Sequence, residues 1–312
     1  MPAQIEIRDG TPWYMSPDIW VTETVGGNTT VVTAPQENGV YNVWAHIDVQ
    51  PVGQQVFPLA GAEVTFYWAN PSISNLSPST ANVIGSETVN LNQGGNDVMC
   101  TTPWVPSYVN SGHECLIVTV VHASDPNATA IAPLTPFDPP APNHRHIAQL
   151  NLGVAQAAGG GGLMMYSFGA GAPPDPERGD KRSFSVVVRR LPIERAAPFL
   201  ERGRQRVPKE MPDTLRFGVQ PARTPCDAKG LGKTRLTLSG RRARLQGMVL
   251  ALRVPARAER GTGALVAVEQ LEGKRVVGGI AVLVLGAKGR GGKKPARRAR
   301  RASRGKAKRR KR

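Results

Sequence analysis

The sequence predicts an all-β protein: two antiparallel β-sandwiches in tandem, followed by a polycationic tail. Three observations carry this. Apolar and polar side chains alternate with a period of two in many short runs, as in strands with one face buried. Glycine (34 residues) and proline (27) are abundant while aromatics supply only 5%, which suits short strands joined by turns better than helices. Charge is also graded along the chain. Residues 1–157 hold two basic residues, Arg8 and Arg145, against twelve acidic ones; residues 158–287 hold 23 basic and 11 acidic; residues 288–312 hold 15 basic and none acidic. That gradient marks an acidic module, a basic module and a tail. A chain of 312 residues is long enough for two domains with a core each.

The acidic module, 1–157, is organised around Tyr41–Ala69. Tyr41, Val43, Ala45, Ile47 and Val49 point one way while Asn42, Trp44, His46 and Asp48 point the other. After a Pro/Gly-rich connection, Ala62, Val64, Phe66 and Trp68 alternate with Glu63, Thr65, Tyr67 and Ala69. We read these runs as the central strand pair of a sandwich. Ile19 and Val21 mark an earlier strand, and Thr29–Thr33 lies between turn residues. Val83-Ile84 with Glu87–Leu91 supply another, Asn92–Asn96 reads as a turn, and Val98–Thr102 leads into Pro103-Trp104-Val105-Pro106. His113–His122 reads as a deeply buried strand and His146–Val154 as the last. Asn70–Pro78 and Pro126–Pro142 lack periodicity and read as loops. About seven short strands at this spacing predict an immunoglobulin-like sandwich.

Several motifs within residues 10–155 carry a resemblance. They are Pro17-Asp-Ile-Trp-Val, Tyr41-Asn-Val-Trp-Ala, Gly61-Ala-Glu-Val-Thr-Phe-Tyr-Trp-Ala, Trp104-Val-Pro, Gly112-His-Glu-Cys-Leu and Ala148-Gln-Leu-Asn-Leu. In this order they resemble the bacterial cell-adhesion-related (CARDB-like) immunoglobulin-fold domains. The resemblance covers about half the chain. It implies a non-catalytic spacer or binder of the kind that decorates secreted or surface-associated proteins.

Residues 158–180 read as a linker, with Gly159-Gly-Gly-Gly and Pro173-Pro-Asp-Pro; the apolar Leu163–Phe168 within it reads as a short docking segment. The basic module, 181–287, opens with a strand at Ser183. Ile193–Arg206 can form a short helix, limited by Pro192 and Pro198 to a turn or two. Leu215–Val219, Lys233–Leu238, Leu245–Val254, Gly263–Gln270 and Arg275–Leu285 read as strands of a second sandwich, with Glu272-Gly273-Lys274 as a hairpin turn. The run from Leu252 to Val284 loosely resembles the closing strands of other bacterial immunoglobulin-like modules.

The tail, 288–312, has no large apolar residue and is expected to be disordered alone. Its cations, among them Lys293, Lys294, Arg297, Arg298, Arg300, Arg301, Arg304, Lys306, Lys308, Arg309, Arg310, Lys311 and Arg312, suit a polyanion. Nucleic acid would bind by counterion release, and without aromatic residues to stack on bases the binding would ignore sequence. In composition the tail is similar to those of bacterial nucleoid proteins and linker histones. Anionic lipid, cell-wall polymer or the acidic module would serve the same charge, and a solvated solubility tail is the plainer alternative.

Candidate chemistry is thin. Gly230-Leu-Gly-Lys-Thr ends like a phosphate loop, but Asp227 stands where the first glycine is needed and a strand follows instead of a helix. The histidines His46, His113, His122, His144 and His146 have no metal-ligand spacing. Ser107, Ser111 and Ser239 lie in no nucleophile elbow, and Cys115, two residues from His113, is flanked by core residues. Three cysteines imply no disulfide framework; Cys100 and Cys115 can pair only if their strands face each other, and three free thiols is the simpler reading. Trp44 and Tyr67 fall opposite the more apolar face and, if exposed, form a face for a partner. Trp20, Trp68 and Trp104 suit core packing.

Residues 1–6 lack a basic start and an apolar core, and no apolar run approaches the roughly 20 residues of a membrane span. A soluble chain is expected, either cytoplasmic or exported without a cleavable peptide. The reading is thus a non-enzymatic adhesion-type or protein-interaction module without a cofactor. Its partner would be a protein or a surface, with nucleic acid or another polyanion bound through the tail. The alternative is a sequence-independent nucleic-acid-binding protein whose sandwiches recruit partners.

Overall fold

A computed structural model describes residues 3–70, 72–73, 76–107, 114–141, 143–156, 162–172, 183–212, 214–222, 231–239, 244–255 and 258–286. These are mostly strand, arranged as four sheets in two face-to-face pairs. The tail cations proposed to bind a polyanion lie outside the described residues.

The first pair of sheets belongs to the acidic half. One is built on β4 (Asn42–Pro51). Along one edge of β4 run first β2 (Ile19–Val25) and then β1 (Ala3–Glu6), and β7 (Gly94–Met99) takes the other edge. A short β3 (Asn28–Val31) pairs with β2. The facing sheet has the order β6 (Asn82–Leu91), β5 (Leu59–Ala69), β8 (Cys115–Val121), β9 (Ile147–Leu150). The alternation in β4 places Val43, Ala45, Ile47 and Val49 in the core, where they meet Ala62, Val64 and Phe66 of β5 and Leu116, Val118 and Val120 of β8.

This corrects the reading of β4 and β5 as one strand pair. Each is central in its own sheet, but the two face each other across the core instead of sharing hydrogen bonds. Their connection, Val52–Pro58, is too long for a tight two-residue hairpin and carries the chain from one layer to the other. The aperiodic loops are not idle. Leu76 and Phe137, one from each, cover the outer face of the second sheet over Ala69, Cys115, Ile117 and Ile147.

The basic half is built the same way. One sheet runs β10 (Leu152–Gln156), β18 (Arg275–Leu285), β17 (Thr262–Glu272), β12 (Ser183–Leu191), β15 (Arg235–Ser239), with a two-residue β13 (Lys209–Glu210) beside β17. The other runs β11 (Gly162–Ala170), β16 (Gln246–Val254), β14 (Arg216–Pro221). Leu250, Leu252 and Met248 pack against Val266, Val268, Ile280 and Val282 between them. Gly273, at φ +63°, permits the two-residue turn from β17 to β18. The sheets are not wholly antiparallel, because β10 pairs with β18, and β13 with β17, in parallel.

The stretch His146–Val154, expected to be one strand, divides at Asn151. Residues before it extend the first sandwich and β10 after it pairs with the last strand of the second. Asn151 is fully buried, and its amide donates to the carbonyls of Ser72 (3.2 Å) and Gly279 (2.8 Å). Its backbone N–H donates to Tyr14, and its carbonyl accepts from Ala281. One polar side chain thus satisfies backbone groups from both sandwiches, as buried polar groups require. The 162–170 stretch, read as part of a linker with a docking segment, is strand β11, whose Met164, Tyr166 and Phe168 face the core.

Tyr14 and Met15, from the acidic half, pack with Leu191, Ile193, Leu200, Leu265 and Leu283 on the outer face of the β17–β18 sheet. Tyr14 is wholly buried and its hydroxyl lies 3.1 Å from Glu269, which Arg189 holds in two contacts of 2.7 and 2.9 Å. A chain that buries an aromatic ring, a carboxylate and an asparagine at its junction joins its sandwiches tightly.

Candidate functional site

Where the two sandwiches meet, a cleft of about 400 Å³ opens. Each wall follows from local sequence. Pro17 leads into β2, whose first residues Ile19–Val21 also line the cleft and whose edge is covered by β3 only from Thr22 onward. The 32–37 loop follows β3 and is pinned at Gln36, whose N–H donates to the Tyr41 hydroxyl at 2.7 Å. Leu150, Leu152 and Val154 come from the crossing between sandwiches, and Tyr166 from β11.

The last wall is a short helix. A 3-10 turn (Ile193–Ala196) leads into α1 (Ala197–Arg202), with Pro198 in its first turn where no intrahelical N–H is needed. The helix closes on paired bonds, Arg204 N–H to Glu201 O (2.8 Å) and Gln205 N–H to Leu200 O (2.7 Å), with Arg204 in the left-handed position at φ +53°. Gln205 then donates to the Thr33 hydroxyl at 3.1 Å, which fastens the helix end to the opposite loop.

Among the polar residues of this largely apolar cleft, Arg202 and Glu114 stand out. Arg202 lies with its guanidinium carbon 3.8 Å above the Trp20 ring, and Trp20 stacks on Trp44 at 5.8 Å and 12°. Burial lowers the Arg202 pKa, although an arginine remains protonated. Glu114 is buried and accepts from Trp104 Nε1 (2.9 Å) and from the N–H and hydroxyl of Ser107 (2.8 Å each). Three donors satisfy the buried carboxylate oxygens where solvent cannot.

The residues singled out from sequence are scattered. Trp44 backs Trp20 and donates to the Thr22 hydroxyl at 2.9 Å, whereas Tyr67 lies on the other sheet against Phe137, ring centroids 5.3 Å apart. The two therefore face away from each other and do not form one patch. His46 bonds Asp97 (2.6 Å), His122 contacts Ala60 O and accepts from Ser124, and His144 contacts Asp138 O. His146 is buried, and burial followed by repulsion from His144 lowers its pKa to about 4. Among the described residues no three metal-ligating side chains converge; His113 and Ser111 lie outside them. Cys100 and Cys115 are separate, buried thiols, and burial raises both pKa values, that of Cys100 to about 11. The remaining Lys233-Thr234 of the rejected phosphate loop leads directly into β15.

Sequence reasoning missed Arg202 and Phe199 as site residues. Their helix was foreseen, but no local pattern says which wall of the other sandwich it meets.

No family model matches the chain, and no curated protein matches it. Among solved structures it is similar to the CupB6 tip adhesin from Pseudomonas aeruginosa, at 10% identity and a TM-score of 0.23, covering 92% of this chain and 98% of that one. It is also similar to CfaE, the adhesive subunit of the CFA/I fimbria of enterotoxigenic Escherichia coli, at 7% identity and 0.23, covering 92% and 94%. An FMN-binding β-glucuronidase from Facaelibacterium prausnitzii scores 0.17 at 10% identity, with 91% of this chain matched to 39% of that one. Overlaps this loose carry no argument about what this chain does, and the properties of those proteins stay with them.

Proposed function

We propose that the chain is a non-enzymatic binding module of the adhesion or protein-interaction type. Its two immunoglobulin-like sandwiches form a rigid head, and its Lys/Arg-rich tail tethers that head to a polyanion. The observation that carries the first part is the cleft, an aromatic-rimmed recess whose walls come from both sandwiches and whose junction is locked by Tyr14 and Asn151. A preformed recess with few, placed polar groups suits binding. The described cysteines support the non-catalytic reading, since a thiol whose pKa is raised by burial is protonated and a poor nucleophile. The narrower resemblance to CARDB-like domains accords with this reading.

The tail's role rests on its charge alone, fifteen basic residues in 288–312. A chain ending at Gly286 retains all of β18, which stops at Leu285. Binding of a short DNA duplex by the full chain and by that truncation, titrated in salt, tests the tether. The full chain should bind with an affinity that falls steeply as salt rises, and the truncation should not bind. Equal binding by both would place any polyanion site on the sandwiches; no binding by either would remove nucleic acid as the partner.

A further inference from the structure

Arg202 is a cation that has been partly taken out of water without gaining an acid. The carboxylate whose field it feels most, Asp18, is already gripped by Arg8 at 2.6–3.2 Å. The next, Asp97, is bonded to His46. Among the described residues none stands within ion-pair distance of Arg202, whereas Arg8, Arg145, Arg189, Arg190 and Arg275 each have a carboxylate partner. Stacking on Trp20 offsets part of the lost hydration, but it leaves the in-plane N–H fork unmatched by any anion.

Apolar side chains line the cleft together with Arg202, with Phe199, Val32, Leu150 and Leu152 among them. The 32–37 loop touches the surroundings of both charged groups: Thr33 meets Gln205, three residues after Arg202, and Gln36 meets Tyr41, which packs on Trp104, a donor to Glu114. Glu114 is saturated by three donors, so it repels an anion and offers little to another donor. The cleft lining therefore carries one cation without an acid partner and one buried, fully bonded carboxylate among apolar side chains. A dianion would suffer from Glu114 and from Glu37 at the rim, with one guanidinium to hold it.

We propose that the cleft binds an amphipathic monocarboxylate, its head paired with the Arg202 guanidinium and its hydrocarbon body laid along Phe199 and the Leu150–Leu152 wall. A planar carboxylate matches the guanidinium fork in two parallel hydrogen bonds. This rests on the cleft being the module's ligand site, as proposed above.

Tryptophan emission of the full chain, titrated with decanoate and with decan-1-ol below their aggregation limits, tests it, because Trp20 lines the cleft. Decanoate should bind saturably and roughly tenfold more tightly than the alcohol, the gain expected of one charge-assisted pair. Arg202→Gln should erase that preference and leave the alcohol unchanged, Arg202→Lys should keep part of it, and Phe199→Ala should weaken both ligands. The tail is present in every variant, so decanoate held by tail cations would not respond to Arg202. Saturable binding without preference, or a preference that survives Arg202→Gln, would overturn the carboxylate assignment and spare the cleft. No saturable binding of either ligand would overturn both.

Discussion

Gly279 offers the sharpest test of how the sandwiches are joined. A Cβ placed there would lie 2.2 Å from Cε1, 2.5 Å from Cζ and 2.7 Å from Cδ1 of Tyr14, where ordinary contact begins at 3.4 Å. Its backbone is not left-handed, so space alone decides. In Gly279→Ala the Tyr14 ring must retreat by more than about 1 Å from a fully packed site, an overpacking cost of ~1–3 kcal/mol. The move also breaks the Tyr14–Glu269 hydrogen bond, worth ~1.5–3 kcal/mol beside a charged partner, while the smaller unfolded-state entropy of alanine returns up to ~1 kcal/mol. The net loss should be about 2–3 kcal/mol, measured as a shift in urea midpoint at unchanged slope. Tyr14→Ala alone should cost about 3–5 kcal/mol. With the ring gone, adding Gly279→Ala should cost no more than ~0.5 kcal/mol, giving a coupling of about 2 kcal/mol. Additive losses, or a single-mutant loss below ~0.5 kcal/mol, would refute the view that Tyr14 over Gly279 holds the junction.

Two further outcomes follow from buried titratable groups. His146 has a folded-state pKa of about 4, below its ordinary value, so the unfolded chain takes up the proton first. Its contribution is intact above about pH 6.5 and is lost as pH falls toward 4, on the order of 2 kcal/mol by about pH 5. Urea midpoints at the two pH values should differ less in His146→Gln, and an unchanged difference would count against the burial of that ring. For Cys100 and Cys115, alkylation of the native chain near pH 8 followed by peptide mass mapping should find both unmodified until denaturant is added. Modification of either one at the rate of a free thiol would contradict its enclosure.

Much of the architecture was legible from local pattern. The alternation at Tyr41–Val49 identified both a strand and its buried face, because a period of two sends every second side chain to the core. The same logic located β12, β16, β17 and β18, and Gly273 announced their hairpin. Asn151 gave no local signal of the division, because it alternates regularly with Leu150 and Leu152 as a polar strand residue would. The use of Arg8 and Arg145 was not legible. The only two basic residues of 1–157 hold its two fully enclosed aspartates, Asp18 and Asp125, and only distance reveals that.

By itself the sequence determined the strand-rich class, the inward faces and the division of charge into acidic, basic and polycationic stretches. Each is set by a residue and its near neighbours. The tertiary structure decided the partners: that β4 and β5 oppose each other across a core, that β10 leaves one sandwich for the other, and that Trp20 and Arg202 meet across a cleft. The physical reason is that periodicity states which face is buried but not what buries it. A strand's hydrogen-bonding edges look alike in any sequence, and the choice among them depends on how the whole chain packs.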